Sequence, residues 1–301
     1  MNGVRHFRTL EDLSSDELIG VLDRADALAA SRGTHAQPLK GKSVVILLEK
    51  ASTRTRLSFE VGVHELGALP ITLIARDTQM GRGEPLEDTA RMLSAYAHAV
   101  VYRTFAHDAF EAFCSVAEIP IINGLTDAFH PCQLLADLQT VRGELGTLDV
   151  EVAWIGDGNN MAHSWILAAA RTGLRLRIAS PEGYRVDPRI VERGRALGGS
   201  IELFDDPDRA VRGAHVVTTD VWASMGQEDE SKARRAAFAG FQVDTRRMAL
   251  ADPGAIFLHC LPAHRGEEVA AEVIDGPQSR VWREAENRLH AQKALLELLV
   301  R

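Results

Sequence analysis

The sequence predicts an α/β protein of two doubly wound parallel-sheet domains joined by helices, and three observations carry that expectation. Apolar, β-rich runs alternate with helical patterns through most of the chain, the rhythm of parallel strands covered by helices. The length of 301 residues corresponds to about two domains of roughly 150 residues each. A helical segment that opens at Pro131, a favoured first-turn residue, separates two strand-bearing halves.

Taken in order, the first half offers strands at Ser43–Leu48, Leu69–Ile74, Ala99–Tyr102 and Pro120–Asn123, with a helix around Leu57, Phe59, Val61 and Leu66 after the first. Arg76 to Leu86, carrying Gly81, Gly83 and Pro85, reads as a loop and as the best candidate for a mobile element. Cys132 to Glu144 reads as the connector helix, ending near Gly143 and Gly146. The second half offers strands at Glu151–Ile155, Leu176–Ala179, Ile201–Phe204, His215–Thr218 and Ile256–Leu258. Trp282 to Val300, with Leu289, Leu295, Leu296 and Leu299, predicts a terminal amphipathic helix.

Composition excludes several function classes. With 46% hydrophobic and 25% charged residues the chain has ordinary soluble composition, and a formal charge of -8 without a Lys/Arg-rich patch argues against nucleic-acid binding. Met1 to Leu10 has no apolar signal region and no stretch is long enough to cross a bilayer, so neither export nor membrane insertion is expected. Cys114, Cys132 and Cys260 form an odd set with no CxxC pair, which suits reduced thiols in a cytoplasm.

Ser52-Thr53-Arg54-Thr55-Arg56 is the most informative stretch, because it lies where an apolar strand gives way to a helix. Free backbone N–H groups, hydroxyls and an arginine fork there suit an oxyanion such as phosphate. Ser and Thr are also ordinary helix caps, but two arginines in a first turn oppose the helix dipole, and an anionic ligand explains their placement. No G-x-x-x-x-G-K-[ST] occurs, so the segment is not a nucleotide P-loop.

Four further segments carry chemistry-bearing residues. His130-Pro131-Cys132-Gln133 places an imidazole and an amide at a helix start, suited to polarising a carbonyl or binding its amide; an ordinary helix start is the alternative. Gly156-Asp157-Gly158-Asn159-Asn160-Met161 follows a strand like a dinucleotide fingerprint, with Met161 at the expected third Gly or Ala, and Glu182 beyond the next strand. An NAD-linked dehydrogenase is therefore one alternative, while Asn159 and Asn160 also suit an amino-acid backbone. Asp220, in a strand-end segment running to Gln227, suits an ammonium group or a helix cap. His259-Cys260-Leu261-Pro262 puts a thiol at a strand terminus; alternation along the strand turns His259 away from it, which disfavours a Cys–His couple and a metal site.

In this order, Ser52-Thr53-Arg54-Thr55-Arg56, His130-Pro131-Cys132-Gln133, Asp220-x-x-x-Ser224-Met225-Gly226 and His259-Cys260-Leu261-Pro262 resemble the ornithine carbamoyltransferase family across nearly the whole chain. The first two motifs are shared with aspartate carbamoyltransferases and the last two resemble the ornithine branch. The resemblance implies a carbamoyl phosphate-binding domain at 1–135, an ornithine-binding domain at 136–282, and a C-terminal helix at 283–301 returning to the first domain. It implies that Ser52, Thr53, Arg54 and Thr55 hold phosphate, with Arg103, His130, Gln133 and Arg288 around the carbamoyl end. Gln79 is implied to reach a neighbouring subunit's site in a homotrimer. Asn160, Asp220, Ser224 and Met225 match ornithine-binding positions, and Cys260 with Leu261 lies beside the reacting carbon. Arg103, His130, Asp220 and Cys260 are the expected catalytic set. No cofactor and no metal are implied. Enzymes acting on putrescine or acetylated ornithine are close variants, and a two-lobed amino-acid binding protein is the alternative outside enzymes.

Overall fold

The computed structural model describes residues 4–223 and 231–300. The chain divides into two compact units, one formed by Met1–Gln139 with Glu286–Arg301 and the other by Thr140–Ala285.

Unit 1 carries β1 (Ser43–Leu48), β2 (Leu69–Ile74), β3 (Ala99–Arg103) and β4 (Ile121–Leu125), all parallel, in the order β2-β1-β3-β4. Val44 to Leu48 are all buried, the signature of a strand covered on both faces. Its helices are α1 (Ser15–Ala30), α2 (Thr53–Glu65), α3 (Leu86–Tyr96) and α4 (His107–Val116). Ser14 and Glu17 form a reciprocal capping box at the start of α1. One face of the sheet packs Val45, Leu47, Val100 and Tyr102 against Phe110 and Phe113 of α4. Each buried aromatic side chain there contributes about 1.5–3 kcal/mol of transfer free energy.

Next, α5 (Pro131–Leu145) carries the chain out of unit 1. Unit 2 holds β5 (Glu151–Ile155), β6 (Arg175–Ala179), β7 (Ser200–Phe204), β8 (Val216–Thr219) and β9 (Ile256–His259), parallel, in the order β7-β6-β5-β8-β9. Around them lie α6 (Asn160–Thr172), α7 (Pro188–Ala196), α8 (Pro207–Val211), α9 (Ser231–Ala237), α10 (Thr245–Met248) and α11 (Ala271–Ile274). Both α7 and α8 open on proline, which has no N–H to leave unpaired at a helix start.

Finally α12 (Val281–Leu299) returns the chain, and its residues from Glu286 onward belong to unit 1 as expected. Lys293 of α12 is fully buried and reaches Glu65 Oε2 at 2.6 Å, while Arg24 of α1 grips Glu297 through two hydrogen bonds. Gly62 of α2 makes that approach possible, because a Cβ there would lie 3.2 Å from the Lys293 side chain.

The Arg76–Leu86 segment is more structured than its composition suggests, folding into two 3-10 turns at Ala75–Asp77 and Met80–Arg82. Gly81 is required there: an added Cβ would sit 2.7 Å from the Arg76 carbonyl oxygen.

Candidate active site

In unit 1 the strand order reverses beside β1, and side chains leaving the carboxyl ends of β1, β3 and β4 gather at that switch point. Ser52 caps α2, its Oγ accepting from the Thr55 N–H at 3.3 Å, and the first turn holds no acidic residue. The helix dipole there is left uncompensated, with backbone donors exposed to an incoming anion.

Buried Thr55 is the centre of a network: its Oγ1 accepts from Arg103 Nη1 at 3.1 Å and Arg288 Nη2 at 3.2 Å. Arg288 Nη1 donates to Gln133 Oε1 at 2.6 Å, and Gln133 Nε2 donates to Asp137 Oδ1 at 2.8 Å. Thus Ser52, Thr55, Arg103, Gln133 and Arg288 are linked although Gln133 and Arg288 lie 155 residues apart. Arg103 ends β3 at a register shift, where Tyr102 pairs with Asn123 and Arg103 with Leu125, leaving Gly124 as the extra residue.

Arg54 and Arg56 separate clearly. Arg54 is half-buried and makes no hydrogen bond or ion pair among the described residues, whereas Arg56 is exposed and donates from Nε to Glu60 Oε1 at 2.9 Å one turn along α2. His130, immediately before α5, is buried. Burial, reinforced by the positive charges of Arg288, Arg103, Arg54 and Lys50, holds its imidazole well below the ordinary histidine range, so the ring is neutral at pH 7. A neutral imidazole beside several cations can donate to a developing oxyanion without adding charge of its own. Glu49, which no local motif marks, accepts from the Tyr102 hydroxyl and from Thr104 Oγ1 (2.7 Å) and so fixes the segment between β1 and Ser52 to β3. Gln79 has an exposed side chain outside this network.

In unit 2 the reversal lies beside β5, and the segments after β5, β8 and β9 converge. Asn159 caps α6 through Oδ1, which accepts from Met161 N–H at 2.9 Å, and turns Nδ2 to Asp220 Oδ2, also at 2.9 Å. Asp220 is buried, and its Oδ1 accepts from the Val221 N–H at 2.8 Å and from Cys260 Sγ at 3.2 Å. Asn160 opens α6 beside this cluster. Asn159 holds the carboxylate, a role its cap position alone does not disclose.

The glycine at 158 in the fingerprint-like turn has a packing reason of its own. A Cβ on Gly158 would lie 2.2 Å from the Val186 backbone nitrogen, so only glycine lets the segment after β6 pack on this turn. Asp157 is paired with Arg234 at 2.8 Å, and burial raises its pKa despite that pairing.

Cys260 is half-buried and Leu261 adopts φ 57 before a cis bond to Pro262. His259 turns into the core: Leu261 N–H donates to its Nδ1 at 2.9 Å, so Nε2 carries the proton and faces Glu268 Oε1 at 3.2 Å. His259 is accordingly not the base for the thiol. Strand alternation does overstate the separation, however, since one His259 ligand atom lies within 4.8 Å of the Cys260 and Asp220 ligand atoms, the chain leaving strand geometry just after His259. Both ring nitrogens are already engaged. Ser224 and Met225 lie outside the described residues.

Comparison with known proteins accounts for both units. Residues 5–143 match the family described as aspartate/ornithine carbamoyltransferase, carbamoyl-P binding domain, and residues 148–299 match its Asp/Orn binding domain. A protein of Halorhodospira halophila named ornithine carbamoyltransferase is 56% identical, with 99% of each chain covered. One of Acidothermus cellulolyticus with the same name is 53% identical over 99% of this chain and 97% of its own. Among solved structures, the ornithine carbamoyltransferase of Pyrococcus furiosus superposes with a TM-score of 0.94 at 44% identity, covering 99% of this chain and 97% of that one.

Proposed function

We propose that this chain, which belongs to the aspartate/ornithine carbamoyltransferase family, transfers the carbamoyl group of carbamoyl phosphate to the δ-amine of L-ornithine, giving L-citrulline and phosphate. The observation that carries the reading is the Thr55 hydroxyl accepting from both Arg103 and Arg288 beside the neutral His130, a preorganised cationic cradle for a phosphorylated acyl group. The ornithine assignment is supported by the relatives' names and by Asp220, an anion suited to an amine; aspartate brings a second carboxylate and calls for further cations.

In this reading Ser52, Thr53, Arg54 and Thr55 hold the phosphate, and Arg103, His130, Gln133 and Arg288 polarise the carbamoyl group. Asn160, Asp220, Ser224 and Met225 bind ornithine, and Cys260 with Leu261 stands by the reacting carbon. The amine nitrogen forms a bond to the carbamoyl carbon, a tetrahedral oxyanion develops, and the C–O bond to phosphate breaks with its electron pair leaving on phosphate. The amine is protonated in water, with a pKa near ~10.4, so one proton must leave before the nitrogen attacks and a second after the N–C bond forms, to the leaving phosphate or through the Asp220–Cys260 pair. Residues 1–135 form the carbamoyl phosphate domain in this assignment, 136–282 the ornithine domain, and 283–301 the returning helix.

A homotrimer with active sites between subunits, Gln79 reaching its neighbour's, completes the proposal. Supporting it, unit 1 exposes apolar Leu57 and Val61 one turn apart on α2, Leu69 on the edge strand β2, and Tyr96, which is 76% exposed. No helix among the described residues is long and apolar enough to cross a membrane, and no disulfide joins the three cysteines, which suits a cytoplasmic setting. Incubation with carbamoyl phosphate and L-ornithine should yield citrulline. No product above background rejects the enzyme; product only from aspartate, putrescine or acetylated ornithine moves it within the superfamily.

A further inference from the structure

Unit 2 contains a cavity of about 160 Å³ at the carboxyl ends of β6 and β7. Because β6 and β7 lie on the opposite side of β5 from β8 and β9, the cavity is separate from the Asp220–Cys260 cluster. Its walls are apolar at Ile178, Val186, Leu203 and Phe204. Three polar groups interrupt them. Ser180 is buried and its Oγ has no hydrogen-bond partner among the described residues. Arg185 and Asp205 are exposed, and neither makes a hydrogen bond or ion pair with a described residue.

A buried hydroxyl without a partner is unfavourable, and a ligand that bonds to it removes the deficit. Opposite charges that line one cavity without pairing match a ligand bearing one charge of each sign. The volume admits more than water, which needs ~10–15 Å³, yet falls below the ~300 Å³ at which drug-sized sites begin. On the side of Val186 the segment that lines the cavity packs directly against the β5 turn, where a Cβ on Gly158 would lie 2.2 Å from the Val186 backbone nitrogen.

We propose that this cavity binds a free α-amino acid with an uncharged aliphatic side chain. Arg185 and the Ser180 hydroxyl take the carboxylate, Asp205 takes the ammonium, and the aliphatic chain lies on Leu203, Phe204, Ile178 and Val186.

Calorimetric titration of the whole protein with L-leucine tests this. One ligand should bind per chain, and Arg185→Gln and Asp205→Asn should each weaken binding at least ~10-fold. Being exposed, these positions tolerate substitution, and a thermal melt checks the fold. Isoamylamine and 4-methylpentanoate, each lacking one charge, should bind at least ~10-fold more weakly than leucine, while Asp220→Asn should leave leucine binding unchanged. Binding that survives both cavity substitutions, binding lost in Asp220→Asn, or no saturation below about 10 mM overturns the proposal.

Discussion

Unit 1 and unit 2 both hang reactive side chains on strand ends beside a reversal in sheet order, but the groups they hang there are opposite in charge. In unit 1, Arg103 and Arg288 both donate to the Thr55 hydroxyl and Arg288 also to the Gln133 amide oxygen, while Arg54 makes no hydrogen bond or ion pair among the described residues. In unit 2, Asp220 is held by an amide, a backbone N–H and a thiol. Contrast Asp157, a few residues from Asn159, whose charge meets Arg234 head-on at 2.8 Å. A charge that meets no opposite charge among the described residues, as at Arg54 and Asp220, keeps its field available to a ligand; a direct ion pair such as Asp157–Arg234 directs that field into the protein's own structure.

The comparison breaks most sharply if substitutions in one unit affect the wrong substrate. Arg54→Ala should lower kcat/KM by about 10²–10³-fold, the cost of removing one preorganised donor to transition-state charge, with apparent affinity for carbamoyl phosphate also reduced. Asp220→Asn should raise the KM for ornithine by roughly tenfold to a hundredfold, since hydrogen bonds to charged groups contribute about 1.5–3 kcal/mol, and leave carbamoyl phosphate binding within about twofold by equilibrium titration. Cys260→Ala should reduce turnover about tenfold and shift the pH–rate profile if the thiol takes part in proton removal; an unchanged rate and profile assigns the proton to phosphate.

Stability gives a smaller effect. His130 is neutral in the fold and takes a proton near pH ~6.5 when unfolded. Below that pH the unfolded chain binds more protons, so this residue's contribution is intact above pH ~6.5 and is lost as pH falls below it. Melting temperature should therefore decline from pH 7 to pH 5, and His130→Gln should flatten the slope. The smallest change is Arg56→Ala, an exposed pair with Glu60 of about 0.3–0.5 kcal/mol; citrulline formation should stay within about threefold of the parent, and a loss matching Arg54→Ala would erase the distinction between the two arginines.

Much of the fold was legible along the chain because each parallel strand is a short, nearly uniform apolar run, as at Val44–Leu48 and Glu151–Ile155. Boundaries moved by a residue or two where local sequence is silent: Pro120 lies outside β4, and Arg103 extends β3 through a register shift that only its partner strand imposes. The Ser52 cap was legible too, since a hydroxyl before a helical run is a local signal. Contacts between distant segments were not. Nothing near Asn159 marks it as a residue that grips Asp220, and nothing near Glu49 announces its bonds to Tyr102 and Thr104.

By itself, then, the sequence determined the alternation of strands and helices, the capped turn at Ser52–Thr55 and the residue types on each strand end, because those follow from periodicity and local backbone chemistry. Tertiary structure decided which strand ends are neighbours, that Thr55 is shared by two arginines, that His130 is neutral and that both His259 ring nitrogens are engaged, by Leu261 and Glu268. Those outcomes depend on sheet order and on the charges burial brings together, quantities that segments up to 233 residues apart in the chain do not encode until they meet.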